Sequence, residues 1–224
     1  MQKTLISLSI ATALGMAFST SATTLTDENS QIFENGTYTY DGIELSHGNT
    51  TTFKGGSVIA KFPVADKEWT PLYVRNGSAL YLGDNDSPLD EVTLTSANEK
   101  SVEWAGYVQG GRVDIYAKKL TLSANNRGFY AQSLNDADSI LNIFVDEFES
   151  TSAYEALHVR EGERAVINVG TKDQWLTSFK ATRTVEDSGV SLLQANEGGT
   201  INIFSKYVEL NAFDTHVGSV SNFV

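Results

Sequence analysis

The stretch Gly110-Gly111-Arg112-Val113-Asp114-Ile115-Tyr116 decides the fold, read on through Leu120-Thr121-Leu122 and Asn125-Asn126-Arg127-Gly128 to Phe129-Tyr130-Ala131. Gly110-Gly111-Arg112 makes a turn. Val113 to Tyr116 then alternates apolar and polar residues, as a half-buried strand does. Seven residues after Val113 a second short run begins at Leu120, and the Asn- and Gly-rich segment 125–128 turns the chain into a third run at Phe129. Glycine at such corners takes backbone conformations that a side chain would forbid.

Working outward, the unit recurs. Apolar–polar–apolar triplets stand at Val58-Ile59-Ala60, Leu80-Tyr81-Leu82, Val113-Asp114-Ile115, Leu141-Asn142-Ile143, Ile167-Asn168-Val169 and Ile201-Asn202-Ile203, with first residues spaced 22, 33, 28, 26 and 34. Imperfect periods of roughly 20–50 residues signal stacked repeats. A second run follows Leu141 at Phe148-Glu149-Ser150 and Ile201 at Val208-Glu209-Leu210. Trp175-Leu176 stands near the equivalent place after Ile167. After Leu80 the second run is Val92-Thr93-Leu94, delayed by an insertion from Gly83 to Glu91. A third run precedes each next turn: Leu72-Tyr73-Val74, Tyr107-Val108, Leu157-His158-Val159 and Val190-Ser191-Leu192.

Three short strands per repeat predict an all-β chain, a right-handed parallel β-helix in which each strand pairs with its equivalent one coil away. A β-sandwich or antiparallel barrel also has many short strands, but hairpins give no reason for one triplet-plus-seven unit to recur. Residues 53–224 read as the β-helix. Residues 23–52 are less regular, with turns at Asn35-Gly36 and Asp41-Gly42, and read as an N-terminal cap plus an incomplete first coil that protects the sheet edge. Val217 and Val220 read as the start of a further strand.

Residues 1–22 read as a signal peptide: Lys3, an apolar run from Leu5 to Phe18 that is too short to span a membrane, and small residues leading to a cut between Ala22 and Thr23. About 200 residues remain, enough for one domain with a core. There is no cysteine, which excludes disulfides, thiol catalysis and thiolate metal sites. The net charge of −12 becomes −13 once Lys3 leaves with the leader. Such a surface repels phosphate backbones, so nucleic acid is excluded as a partner. Lys118 and Lys119 read as solvated positions beside strands.

The leader, the cysteine-free acidic body and units such as Gly199-Thr200-Ile201-Asn202-Ile203-Phe204 and Val113-Asp114-Ile115-Tyr116 resemble the passenger domains of autotransporters over roughly Val58 to Leu210. The resemblance implies a Gram-negative-type envelope, export through the signal peptide, and display at the cell surface or release from it. In that family a translocator barrel of alternating strands follows the passenger. It would be this chain's partner in a longer protein, of which residues 53–224 would be the front part. Passengers of this type divide between adhesins, toxins and proteases.

A serine protease needs a nucleophile and an orienting base, and no Gly-x-Ser-x-Gly elbow occurs. His47, His158 and His216 lie in unrelated settings. His158 alternates with Leu157 and Val159 and is expected to face solvent. The acidic clusters are Asp84, Asp86, Asp90 and Glu91, then Asp136 and Asp138, then Asp146, Glu147 and Glu149. Paired carboxylates would suit a polysaccharide lyase or glycoside hydrolase, but equivalent positions of adjacent repeats do not repeat Asp. Asp84-Asn85-Asp86 lacks the remainder of a calcium loop and reads as a solvated turn. No catalytic residue, cofactor or metal site is expected. The sequons at Asn35, Asn49, Asn76 and Asn85 read as turns. Asn142, Asn168 and Asn202 hold the middle of three triplets and would stack as an amide ladder if they point outward. Aromatic residues gather at Trp69, Tyr73, Tyr81, Trp104, Tyr107, Tyr116, Phe129 and Tyr130, and Tyr81 and Tyr116 are the candidates for an outward face that binds a glycan or a host surface protein. The expected function is therefore non-enzymatic adhesion, with a carbohydrate-active β-helix enzyme or a structural stalk as the alternatives.

Overall fold

A computed structural model describes residues 23–62, 70–96, 104–134, 137–160, 164–186 and 190–212. The leader with Ala22, Trp69, Asp136, His216, Val217 and Val220 lie outside the described residues. Thr23 is the first described and is exposed.

Alternating, β-branched and Gly-punctuated segments give an all-β chain, with no helix among the described residues. The strands are β1 (Thr24–Thr26), β2 (Gln31–Tyr40), β3 (Gly42–Leu45), β4 (Thr50–Phe62), β5 (Leu72–Arg75), β6 (Ala79–Leu82), β7 (Leu89–Ser96), β8 (Trp104–Gln109) and β9 (Arg112–Ala124). They continue with β10 (Arg127–Gln132), β11 (Ser139–Ser152), β12 (Leu157–Arg160), β13 (Ala165–Val169), β14 (Ser178–Arg183), β15 (Leu193–Ala195), β16 (Thr200–Ile203) and β17 (Val208–Asn211). A seven-stranded sheet runs β1-β3-β5-β8-β10-β12-β15. A ten-stranded sheet runs β16-β13-β11-β9-β6-β4-β2, with β7 and β14 beside the long strands and β17 beyond β14. Every pairing between these strands is parallel. Parallel strands of one chain need a crossover between them. Here the crossover is the rest of each repeat, as in a β-solenoid.

The register confirms the main repeat. Leu80, Val113, Leu141, Ile167 and Ile201 are successive partners across β6, β9, β11, β13 and β16. All point inward and are buried. The runs at Val113 and Leu120 are one continuous strand, β9, and those at Leu141 and Phe148 are likewise one strand, β11. The second half of β9 pairs with β7, placing Val92-Thr93-Leu94 beside Leu120-Thr121-Leu122.

Four expectations are corrected. Val58-Ile59-Ala60 pairs with Val92-Thr93-Leu94, not with Leu80-Tyr81-Leu82. The true partner of Leu80 is Thr51, whose side chain is buried in the lumen although it is polar. After Ile167 the second run is not Trp175-Leu176 but β14, where Phe179 pairs with Phe148. In the seven-stranded sheet Leu193, not Val190-Ser191-Leu192, sits beside Leu157. Finally, residues 24–52 supply β1, β2, β3 and the start of β4 in the same parallel registers, and the boundary expected at residue 52 falls inside β4.

The core is the lumen between the sheets. Gly106 faces it between Leu72 and Phe129, and a β-carbon at Gly106 would lie 2.2 Å from the Phe129 ring, which fills the space that Gly106 leaves. Where β2 and β4 bend, Gly56 has φ +78° and a β-carbon there would lie 2.0 Å from the Gly36 carbonyl oxygen, so only glycine fits. Buried hydroxyls close two corners in the same way: Ser78 accepts from the Gly48 amide at 3.0 Å and Ser139 from the Gly110 amide at 2.6 Å. Asn76 takes left-handed backbone, φ 54°, in the turn between β5 and β6, as its turn reading predicts, whereas Asn35, also left-handed at φ 47°, lies inside β2, where a turn was expected.

Candidate binding face

Alternation sends the middle residue of each triplet outward. On the ten-stranded sheet this places Tyr81, Asp114, Asn142, Asn168 and Asn202 in one row across five strands. The amide ladder anticipated for the three asparagines forms. Asn202 Nδ2 donates to Asn168 Oδ1 at 2.8 Å, Asn168 Nδ2 to Asn142 Oδ1 at 2.8 Å, and Asn142 Nδ2 to Asp114 Oδ1 at 2.7 Å. Every amide donates in the same direction because the ladder ends on a carboxylate, which can only accept. Arg112 closes it: Nε lies 3.1 and 3.0 Å from the two Asp114 oxygens and Nη2 lies 2.8 Å from Oδ2. The Asp114 hydrogen bond holds the Arg112 guanidinium above its already high value. Each asparagine keeps a second N–H and a second lone pair that the ladder does not use, and Asn168 and Asn202 are half-exposed.

Two residues further along each strand lies a second outward row. Tyr116 packs on Phe144, ring centroids 4.5 Å apart. Gly170 and Phe204, the first residues past β13 and β16, follow, their amides bonded to the Ile143 and Val169 carbonyls, and the 40%-exposed Trp175 packs edge-on to Phe204 at 6.1 Å. Burial and then the nearby Asp114 carboxylate raise the Tyr116 phenol above its ordinary value. Tyr81 and Tyr116, the two aromatics singled out from the sequence, thus reach the same face on either side of the Arg112–Asp114 pair. Sequence reading missed Asp114 as the terminus of the ladder, because a lone carboxylate in a strand reads as solvated. Its signal was its place at the centre of the triplet that aligns with the asparagines.

Breaking the ladder in the middle is expected to cost stability. Asn142→Ala removes one acceptor and one donor at a buried position and should lower unfolding free energy by about 1–2 kcal/mol. Asn202→Ala, at the end of the ladder and half-exposed, should change it by less than about 0.5 kcal/mol. Urea denaturation distinguishes the two.

The outward face of the seven-stranded sheet is different, and corrects the expectation for His158. Tyr73, Tyr107, Tyr130 and His158 are successive partners. Tyr73 stacks on Tyr107 at 5.0 Å, Trp104 on Tyr130 at 4.7 Å, and His158 packs edge-on to Tyr130 at 4.9 Å. The aromatic rings occupy one another's faces, so the ladder shields itself. His158 is only 9% exposed. Its Nδ1 lies 3.5 Å from Glu155 Oε1, while Glu155 Oε2 takes the Arg127 Nε at 2.6 Å. Burial pushes the His158 imidazole below its ordinary value of 6.5, with Glu155 opposing and Arg127 and Arg160 adding to the shift. The unfolded chain therefore binds a proton here more readily. The contribution is fully present above pH about 6.5 and is lost as pH falls from there through the lower folded value. Melting temperature should drop across that window, and His158→Phe should remove this part of the drop.

Among the described residues the acidic groups of 84–91 and 146–149 flank β9, where Lys119 stands in register between Glu91 and Glu147. Asp84 Oδ1 caps its own turn, accepting from the Asp86 and Ser87 amides at 3.0 and 2.7 Å. Asp90 pairs with Lys118 at 2.7 Å and Glu149 with Lys119 at 3.2 Å, both exposed. Among the described residues no group of three His, Cys, Asp or Glu could hold a metal ion. No helix of the described residues is long and apolar enough to cross a membrane. No protein-family model, curated protein or solved structure matches the chain.

Proposed function

We propose that this chain is an exported, non-enzymatic binding module, displayed at the surface of a Gram-negative-type bacterium or released from it. It engages a glycan or a host surface protein through the outward face of the ten-stranded sheet. The finer architecture belongs to the same proposal: a right-handed parallel β-helix of the autotransporter passenger type, three strands per coil. Its support is that the halves of β9 and β11 carry separate registers, to β6 and β7 and to β13 and β14, beside the single row of the seven-stranded sheet.

The observation that carries the functional reading is the pair of parallel rows, the amide ladder beside Tyr116, Phe144 and Phe204. Amides held in one orientation offer donors and acceptors repeated at the coil spacing, and aromatic rings beside them offer apolar contact. That combination suits a polyhydroxylated chain lying along the stack. The one charge within these rows, Asp114, is neutralised by Arg112 beside it. On a chain of net charge −12 the face is therefore best matched to an uncharged glycan. Binding is tested on an array of neutral and acidic glycans with the full chain, Tyr81→Ala and Tyr116→Ala. The expected result is retention on neutral glycans, weakened about tenfold or more by either substitution. Equal retention of the variants contradicts the reading. So does release of new reducing ends or unsaturated products, if it is lost in Asp114→Asn.

A further inference from the structure

The two sheets end at β1 and β2, and among the described residues no strand pairs with their outer edges. Among the described residues no further strand covers the lumen there. Leu25, Phe33, Tyr38 and Tyr40 face inward but are only half-buried, whereas their partners one coil up, Ile43, Phe53, Val58 and Ala60, are buried. Phe33 stacks one ring face on Phe53, centroids 4.7 Å apart at 13°. The cup at this end has a volume of about 440 Å³ and is lined by Leu25, Phe33 and Tyr40 together with polar residues of β1, β2 and the turn between them. An open strand edge with an apolar floor beside it is the arrangement that accepts an added strand.

Charge says what kind of strand. Residues 23–53 contain Asp27, Glu28, Glu34, Asp41 and Glu44 and no Lys or Arg, the nearest cation being Lys54, beside Glu34 in register. Asp27 is buried in the corner and Glu44 pairs with Arg75 at 3.2 Å, but Glu28 and Glu34 are exposed. A second copy of this chain is a poor occupant. It carries the same net charge of −12, and at the opposite end Leu193, Ile201 and Ile203 are buried, with Val208 and Leu210 the only exposed apolar residues of β17. We propose that this end of the stack is an acceptor site for an extended, cationic peptide segment. The segment adds as a further strand beside β1 and β2, with apolar side chains in the cup and Lys or Arg toward Glu28 and Glu34. The site lies at the end of the stack, apart from the two rows of the glycan face, so either can fail alone.

The test uses the full chain and two blocked synthetic peptides matching β2 in length, one alternating valine with lysine and one alternating valine with glutamate. Fluorescence anisotropy should show binding of the lysine peptide only, weakened about tenfold by the exposed double substitution Glu28→Lys/Glu34→Lys and more strongly at high salt. Amide hydrogen exchange in β1 and β2 should slow when that peptide is bound. Absence of binding, equal binding of the glutamate peptide, or indifference to the charge reversal overturns the proposal. It is equally overturned if the edge amides of β1 and β2 are already protected in the free protein, or if sedimentation shows copies associating through this end.

Discussion

Asp27→Ala is expected to lower unfolding free energy by about 3–4 kcal/mol, one of the two largest single-residue losses we anticipate. Asp27 is fully buried and joins three successive turns of the chain. One oxygen accepts from the Ser46 amide at 2.7 Å and the His47 amide at 3.1 Å. The other accepts from the Ser78 hydroxyl at 2.7 Å and the Asn49 amide at 3.2 Å. Its own carbonyl takes the Asn49 side-chain amide at 2.7 Å. Removing the carboxylate would strand those donors in the corner, at the full desolvation cost of each. The pH dependence follows from the same contacts. Burial alone would raise the Asp27 pKa, but the Ser78 hydroxyl and the Ser46 and His47 groups together hold it below the ordinary 3.8. The contribution is therefore present above about pH 3.8 and is lost as pH falls through the lower folded value. Urea denaturation at neutral pH measures the loss. Acid unfolding of the wild-type chain should begin at this corner, seen as early hydrogen exchange in β1 and β3.

The second large effect is predicted at Gly106. Its β-carbon would sit 2.2 and 2.4 Å from two Phe129 ring atoms, and Phe129 is fully buried among Leu72, Ala131 and Leu157 in a packed lumen. The ring cannot swing into solvent, so Gly106→Ala should cost about 3 kcal/mol through overpacking. Phe129→Leu alone leaves the space beside Gly106 partly empty and should cost about 1–2 kcal/mol. The double substitution should be more stable than Gly106→Ala alone, because each change relieves the other. A double-mutant cycle by denaturant unfolding measures that coupling. Additive losses would mean that the two residues do not share the volume.

Much of this architecture was legible because the lumen imposes a period of two within strands and a near-constant repeat between them. Val113, Leu141, Ile167 and Ile201 could be aligned from sequence because each is flanked by the same alternation. The alignment slipped where polarity hid a lumen position. Thr51 is buried yet polar, so Val58 looked like the better partner for Leu80. It slipped again after Gly170, where a short excursion carries Trp175 outward and postpones the strand to Ser178. His158 shows a different limit. Alternation gives the direction of a side chain but not what covers it, and stacked aromatics on the outward face bury it. The face with Tyr81 and Tyr116 was half legible. Their direction followed from alternation, but the link through Arg112 and Asp114 to the asparagine ladder depends on register. The open cup at β1 and β2 has no signature in the local sequence, since it arises from which strands lie at a sheet's edge.

The most direct measurement of the central claim, a stack that presents like residues at one-coil intervals, uses the absence of cysteine from the chain. Asn168 and Asn202 are register partners 34 residues apart in sequence, so Asn168→Cys/Asn202→Cys should oxidise readily to an intramolecular disulfide. Neighbouring strands lie about 4.8 Å apart, within the range a disulfide spans. Asn142→Cys/Asn202→Cys, two strands apart at about 10 Å, should stay reduced under the same conditions. Rapid closure of the first pair alone, read on a non-reducing gel and by mass, is the predicted result. Equal closure of both pairs, or of neither, would contradict the stacked face on which the proposed binding rests.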